Sequence, residues 1–146
     1  MESKFNEADL RYVTANTLKT MEEYEEQVKE TAIYPGVDGL AFKIDRETRK
    51  QILSGNITGL LYTALGLAGE AGEFSDKVKK ILRDDKGVIS LKKRLAMAQE
   101  LGDVFWYLAR CSAELRYTLE MISDLNYEKL SKRKKEGKLG GSGDDR

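Results

Sequence analysis

Apolar residues recur at helical spacing along two long stretches. One stripe runs through Leu60, Ala64, Leu67, Ala71, Phe74, Val78 and Ile81, and another through Leu91, Leu95, Ala98, Leu101, Val104, Phe105 and Leu108 to Ser112. Asn56 can cap the first helix, which continues to about Asp84, where the turn DDKG stops it. Ser90 starts the second, which ends near Leu115, and the short link makes the two antiparallel neighbours. Upstream, Thr20 and Glu23 of TMEE form a capping box for a helix over Met21 to Ala32, broken by the sole proline, Pro35. Thr118 caps a fourth helix from Leu119 to about Gly137, with Leu119, Ile122, Leu125 and Leu130 as its apolar side. Gly36 to Gly55 reads as a connector carrying one short helix, Asp45 to Leu53, with Asp45 as N-cap. The expected fold is an all-α four-helix bundle forming a single domain over 1–146, with residues 1–19 as an arm and 137–146 as a Gly-rich tail.

Acids interrupt both apolar stretches. GLAGEAGEFSDKVKK carries Glu70 and Glu73, and QELGDVFWY carries Glu100 and Asp103, each pair spaced i, i+3 and so on one helix face. Glu100 lies at the edge of the Val104, Leu108 and Leu101 stripe, and Thr63, Gly66, Glu70, Glu73 and Lys77 form a stripe beside the apolar one. Carboxylates drawn toward an apolar core cost several kcal/mol each, on the order of an unpaired buried charge, unless a cation compensates them. Four converging acids suit a hard divalent ion, Mg²⁺ with Mn²⁺ able to substitute. The acids at Glu22, Glu23, Glu25, Glu26 and Glu30 have similar spacing but no apolar setting, and read as a solvated face.

Composition narrows the chemistry further. The 146 residues carry 25 acids and 25 bases, so no general attraction draws the chain to a nucleic acid polymer or a membrane surface. No segment reads as a membrane span or export signal, and the single cysteine allows no internal disulfide; the expectation is a soluble, cytoplasmic protein. Histidine is absent, which excludes His-based triads, HExxH zinc sites and Glu-x-x-His di-iron bundles.

Cationic and aromatic candidates surround the acids. Lys77 is one turn from Glu73 and Lys80 follows at the next i+3 position, while Lys129 and Arg133 form an i, i+4 pair on the last helix; each is otherwise a solvated surface cation. Tyr107 shares the azimuth of Glu100 and Asp103 and can pack on a sugar or base, or simply fill core. Trp106 points the other way, toward packing or an interface, and Cys111 falls on the core stripe. The apolar positions exceed what one four-helix unit buries, which suggests a homo-oligomer, a dimer or dimer of dimers, with a homotetramer expected.

GLAGEAGEFSDKVKK followed by ELGDVFWYLA resembles the MazG-like, all-α nucleoside triphosphate pyrophosphohydrolase superfamily, whose signature is ExxE, a spacer, then ExxD. Here the spacer between Glu73 and Glu100 is 26 residues. YEEQVKETAIYP, NYEKLSKR from Asn126 to Arg133, and the GSGDDR ending are similar to further family segments, the last to short, often phage-encoded members. The resemblance implies Mg²⁺-dependent hydrolysis of a small-molecule nucleoside triphosphate to monophosphate and pyrophosphate, in the host cytoplasm for a phage protein. It implies metal-binding and catalytic roles for Glu70, Glu73, Glu100 and Asp103, and substrate contacts for Asn126 and for Ser142, Asp144 and Arg146 of the tail. A deoxynucleotide such as dGTP or dCTP is the expected substrate. The rivals are a narrower dUTPase-like or phosphoribosyl-ATP pyrophosphohydrolase, and a non-catalytic helical module that keeps the metal.

Overall fold

The computed structural model describes residues 20–138 and residue 140. The arm at 1–19 and the tail residues Ser142, Asp144 and Arg146 lie outside the described residues. The elements are α1 (Met21–Glu30), β1 (Leu40–Ile44), β2 (Gln51–Gly55), α2 (Thr58–Asp84), α3 (Leu91–Glu114) and α4 (Leu119–Lys135), so the four expected helices form.

Their starts follow from local chemistry. Thr20 Oγ1 accepts the Glu23 N–H and Glu23 returns a carboxylate to the Thr20 N–H, both at 3.1 Å. Ser90 and Thr118 accept the N–H groups of Lys93 and Met121 at 3.3 and 3.2 Å. Each cap satisfies an otherwise orphaned donor and stabilises its helix by about 1 kcal/mol. Asn56 acts one residue earlier than a cap would: its Oδ1 accepts the Thr58 N–H at 2.9 Å, while Ile57 occupies the N-cap position. DDKG turns the chain with Lys86 and Gly87 both left-handed.

The connector is not a helix. Leu40 to Ile44 and Gln51 to Gly55 pair antiparallel, Leu40 opposite Gly55 and Ile44 opposite Gln51. Asp45 begins the turn rather than a helix, its Oδ1 accepting the Thr48 N–H and hydroxyl at 2.6 Å, and Arg49 is left-handed. Leu40, Phe42 and Ile44 have the period of two of a strand, but only Leu40 is buried, while Phe42 and Ile44 are exposed.

The α2–α3 hairpin is the principal helix packing, and α1 and α4 both lean on α3. A core of Val28, Ala109 and Leu119 is ringed by Tyr24, Phe105, Trp106 and Leu108. Tyr24 stacks on Phe105 at 4.9 Å, and Trp106 Nε1 donates to Thr31 Oγ1 at 2.8 Å, so Trp106 is a packing residue as expected. Glu25 departs from the solvated face expected of it: its carboxylate accepts the Leu119 N–H at 2.7 Å and anchors the start of α4.

The inward face of α2 takes in the expected apolar stripe and the stripe beside it: Ile81 is buried, and Leu60, Leu67, Phe74 and Val78 are half-buried. Thr63 is fully buried and Gly66 and Glu70 half-buried, while Ala64 and Ala71 are exposed. On α3, Leu101 is likewise exposed, although it shares the expected stripe with Val104 and Leu108. Thr63, Gly66 and Glu70 of the acid-bearing stripe therefore share the inward face with the apolar one, and Leu61, Leu65, Leu101, Leu125 and Leu130 are left uncovered.

Candidate functional site

Helices α2 and α3 bring three of the four signature acids together. Glu70, Glu100 and Asp103 each offer a carboxylate oxygen within 4.8 Å of the others. Glu73 is not in this group and is exposed. Three residues turn a helix by about 300°, so when Glu70 aims at α3, Glu73 is rotated about 60° toward solvent. Partial burial, then the charges of Glu73, Asp103 and Glu100, push the Glu70 carboxyl above its ordinary value. Like charges gathered together, Glu70 and Glu100 half-buried and Asp103 exposed, all with oxygen donors, fit a hard divalent cation.

A built-in cation touches the cluster. Lys77 Nζ lies 3.0 Å from Glu100, whose side chain is only 14% exposed. That contact raises the Lys77 ammonium above its usual range. Lys80 turns away from the acids and pairs with Asp76, as does Lys79. Together with Lys93, Lys77 and Lys80 line a cavity of about 260 Å³ where α2 ends and α3 begins.

On the other side of the acids stands an aromatic group. The Tyr107 ring lies over Gly66, one turn before Glu70, where a Cβ would overlap the ring. Burial, then Tyr62 and the acids Glu70 and Asp103, raise the Tyr107 hydroxyl above its ordinary value. Trp106 meets Tyr107 edge-on at 4.9 Å, and Tyr62 stacks on Tyr34 at 5.1 Å. Gly66→Ala should therefore force Tyr107 out of register, costing about 1–3 kcal/mol by overpacking and about tenfold in any activity. Thermal denaturation and steady-state rates check both.

The last helix carries three further candidates. Asn126 and Lys129 stand exposed on α4, and Arg133 is buried near its end. None of the three lines the lysine cavity. Cys111 is half-buried and free, in keeping with a core position.

A second charged cluster has no counterpart in the sequence reading. Glu114 is wholly buried, and its Oε1 accepts from the Tyr34 hydroxyl at 2.6 Å, the Asp38 N–H at 3.1 Å and Arg110 at 3.3 Å. Arg110 also donates to the Tyr34 oxygen at 2.7 Å and to Asp38 at 3.2 Å. Burial and the bond to Glu114 hold the Tyr34 hydroxyl far above its ordinary value. Burial opposes the charge of Arg110, but Tyr34 and Asp38 outweigh it and keep the guanidinium ionised. Gly59 allows this closure, since a Cβ there would strike the Gly36 carbonyl and the Glu114 carboxylate. Arg110 and Glu114 are spaced i, i+4, the one signal available beforehand, and it looks the same on a solvated face.

No helix among the described residues is long and apolar enough to cross a membrane. No solved structure matches the chain. A curated relative, the Gene 37 protein of Mycobacterium phage L5, is 42% identical over 123 residues, covering 84% of this chain and 96% of the relative. The model of the MazG nucleotide pyrophosphohydrolase domain matches residues 59–137, a span that takes in α2 from its second residue, the acid cluster, α3 and α4. With that match running over more than half of its length, the chain belongs to the MazG nucleotide pyrophosphohydrolase domain family.

Proposed function

We propose that the chain hydrolyses a deoxynucleoside triphosphate to its monophosphate and pyrophosphate with Mg²⁺ held by Glu70, Glu100 and Asp103, and with Glu73 at the rim. The convergence of three carboxylates within 4.8 Å on the family's signature positions carries this reading. When bound, the divalent ion supplies charge for the phosphates and acidifies water. The chain's own residues then have distinct parts. Carboxylates orient the attacking water toward the α-phosphorus and one of them takes its proton. A bond forms from the water oxygen to phosphorus, the bond to the α,β-bridging oxygen breaks, and its electron pair leaves with pyrophosphate. Lys77 stands beside this centre to meet the leaving charge. No residue need act as a nucleophile.

The assay is pyrophosphate release from a panel of nucleoside triphosphates, dGTP and dCTP included, with Mg²⁺ and with a chelator. Turnover that survives the chelator, or no turnover on any member, defeats the reading.

Self-association belongs to the same proposal. Leu61, Leu65, Leu101, Leu125 and Leu130 are each 43–67% exposed, and full burial of such a side chain is worth about 1.5–3 kcal/mol. The expected species is a homotetramer built as a dimer of dimers. Light scattering at micromolar concentration should give four times the mass of the 16.5 kDa chain, and a monomer would contradict it.

A further inference from the structure

Two features flank the acid cluster along α2. Toward the start of the helix stand Tyr62 and the Tyr107 ring over Gly66; toward its end lies the cavity lined by Lys77, Lys80 and Lys93. We propose that the nucleotide lies along α2 with its base against Tyr62 and Tyr107 and its β- and γ-phosphates in the lysine cavity, so that pyrophosphate departs past Lys93. This rests on the pyrophosphohydrolase reading above and adds an orientation to it, together with roles for Tyr62 and Lys93.

The spacing fits such a ligand. At 1.5 Å per residue, the eleven residues from Gly66 to Lys77 span about 16 Å, with Glu70 and Glu73 between them. An extended nucleoside triphosphate laid over this span puts its α-phosphate at the acids. Chemistry sorts the two ends. A planar ring offers a base a stacking surface, and Tyr62 is held face-on against Tyr34 with the planes 9° apart and is 44% exposed, so one edge and its remaining surface are open. Such a platform gives a triphosphate tail nothing. The cavity is the reverse, with three ammonium groups and one lining acid, Asp84, whose carboxylate is already held by Arg83 at 2.7 and 2.8 Å.

The lysines have partners: Lys80 pairs with Asp76, Lys93 with Asp85 and Lys77 with Glu100. The Lys80–Asp76 pair is largely exposed, and pairs of that kind contribute about 0–1 kcal/mol, so a polyanion can displace its carboxylate; the Lys93–Asp85 pair is half-buried and holds more firmly. Lys77 is released differently, since a divalent ion on Glu100 removes the charge that holds it. The start of α3 adds to the field: its first turn contains no acid, and Lys93 of that turn lines the cavity.

The test is equilibrium binding by titration calorimetry at fixed free Mg²⁺, using inorganic pyrophosphate and, separately, the monophosphate of the best substrate. Lys93→Ala should weaken pyrophosphate about tenfold and leave the monophosphate within about twofold. Tyr62→Leu should do the opposite, and Tyr62→Phe, which keeps the ring, should match wild type. Lys79→Ala, on the exposed side of α2, controls for loss of a surface charge and should change neither. Both variants weakening both ligands equally, a reversed pattern, or no change in either overturns the orientation while leaving hydrolysis intact. Wild-type protein that releases no pyrophosphate from any nucleotide overturns the functional reading itself, and the orientation with it.

Discussion

Replacing Glu70 by glutamine should reduce turnover by at least about a thousandfold, the scale on which loss of a metal ligand or a centrally placed charge is felt. Glu70 is the member of the cluster that faces α3 with both Glu100 and Asp103 in reach. Its amide keeps the volume and removes the charge. The same change should leave the metal-free fold intact or slightly more stable, because the Glu70 carboxyl is held against three like-charged neighbours. The two readouts therefore move in opposite directions, which a misfolded variant cannot imitate. Pyrophosphate release measures the first, and urea denaturation without metal measures the second. Appreciable turnover in Glu70→Gln would remove the cluster from the chemistry.

A pH dependence follows with a defined sign. The folded state holds the Glu70 proton more tightly than the unfolded chain does, so metal-free protein should lose stability as pH rises through the interval from the ordinary glutamate value to the raised one. Glu70→Gln should flatten that slope. Urea midpoints across mildly acidic pH, compared between the two proteins, give the answer.

The largest loss of stability is expected from Arg110→Met. Arg110 is 3% exposed and is the cation nearest the fully buried Glu114, whose second oxygen has no hydrogen-bond partner. Removing it leaves a carboxylate buried without compensation, a change that costs about 3–5 kcal/mol. Methionine fills much the same volume, so the loss reports charge rather than a cavity. Glu114→Gln in the same background should recover part of the stability, since the stranded charge is then gone. The denaturation midpoint of each variant decides the matter, and a cost below about 1 kcal/mol would mean that water reaches Glu114.

The sequence disclosed the helices because their apolar period and caps are local properties; Thr20, Ser90 and Thr118 all accept the N–H bonds expected of them. It disclosed the positions of the acids for the same reason. It did not disclose which way each points. Glu70 and Glu73 are equivalent on an isolated helix and become different only when α3 packs against one side of α2. The hairpin was misread because Asp45 suits a turn as well as an N-cap, and five-residue strands carry too few positions to separate a period of two from one of 3.6. Tyr34, Asp38, Arg110 and Glu114 meet across more than seventy residues of chain, so nothing local marks them as one unit.

Tyr107 occupies the space a side chain at position 66 would need. The two positions are therefore yoked in any lineage descended from this chain: growth at 66 is tolerated only after the ring at 107 has shrunk, and the order of the two mutations matters. Drift at either site alone meets a barrier, and the pair should change together or stay fixed.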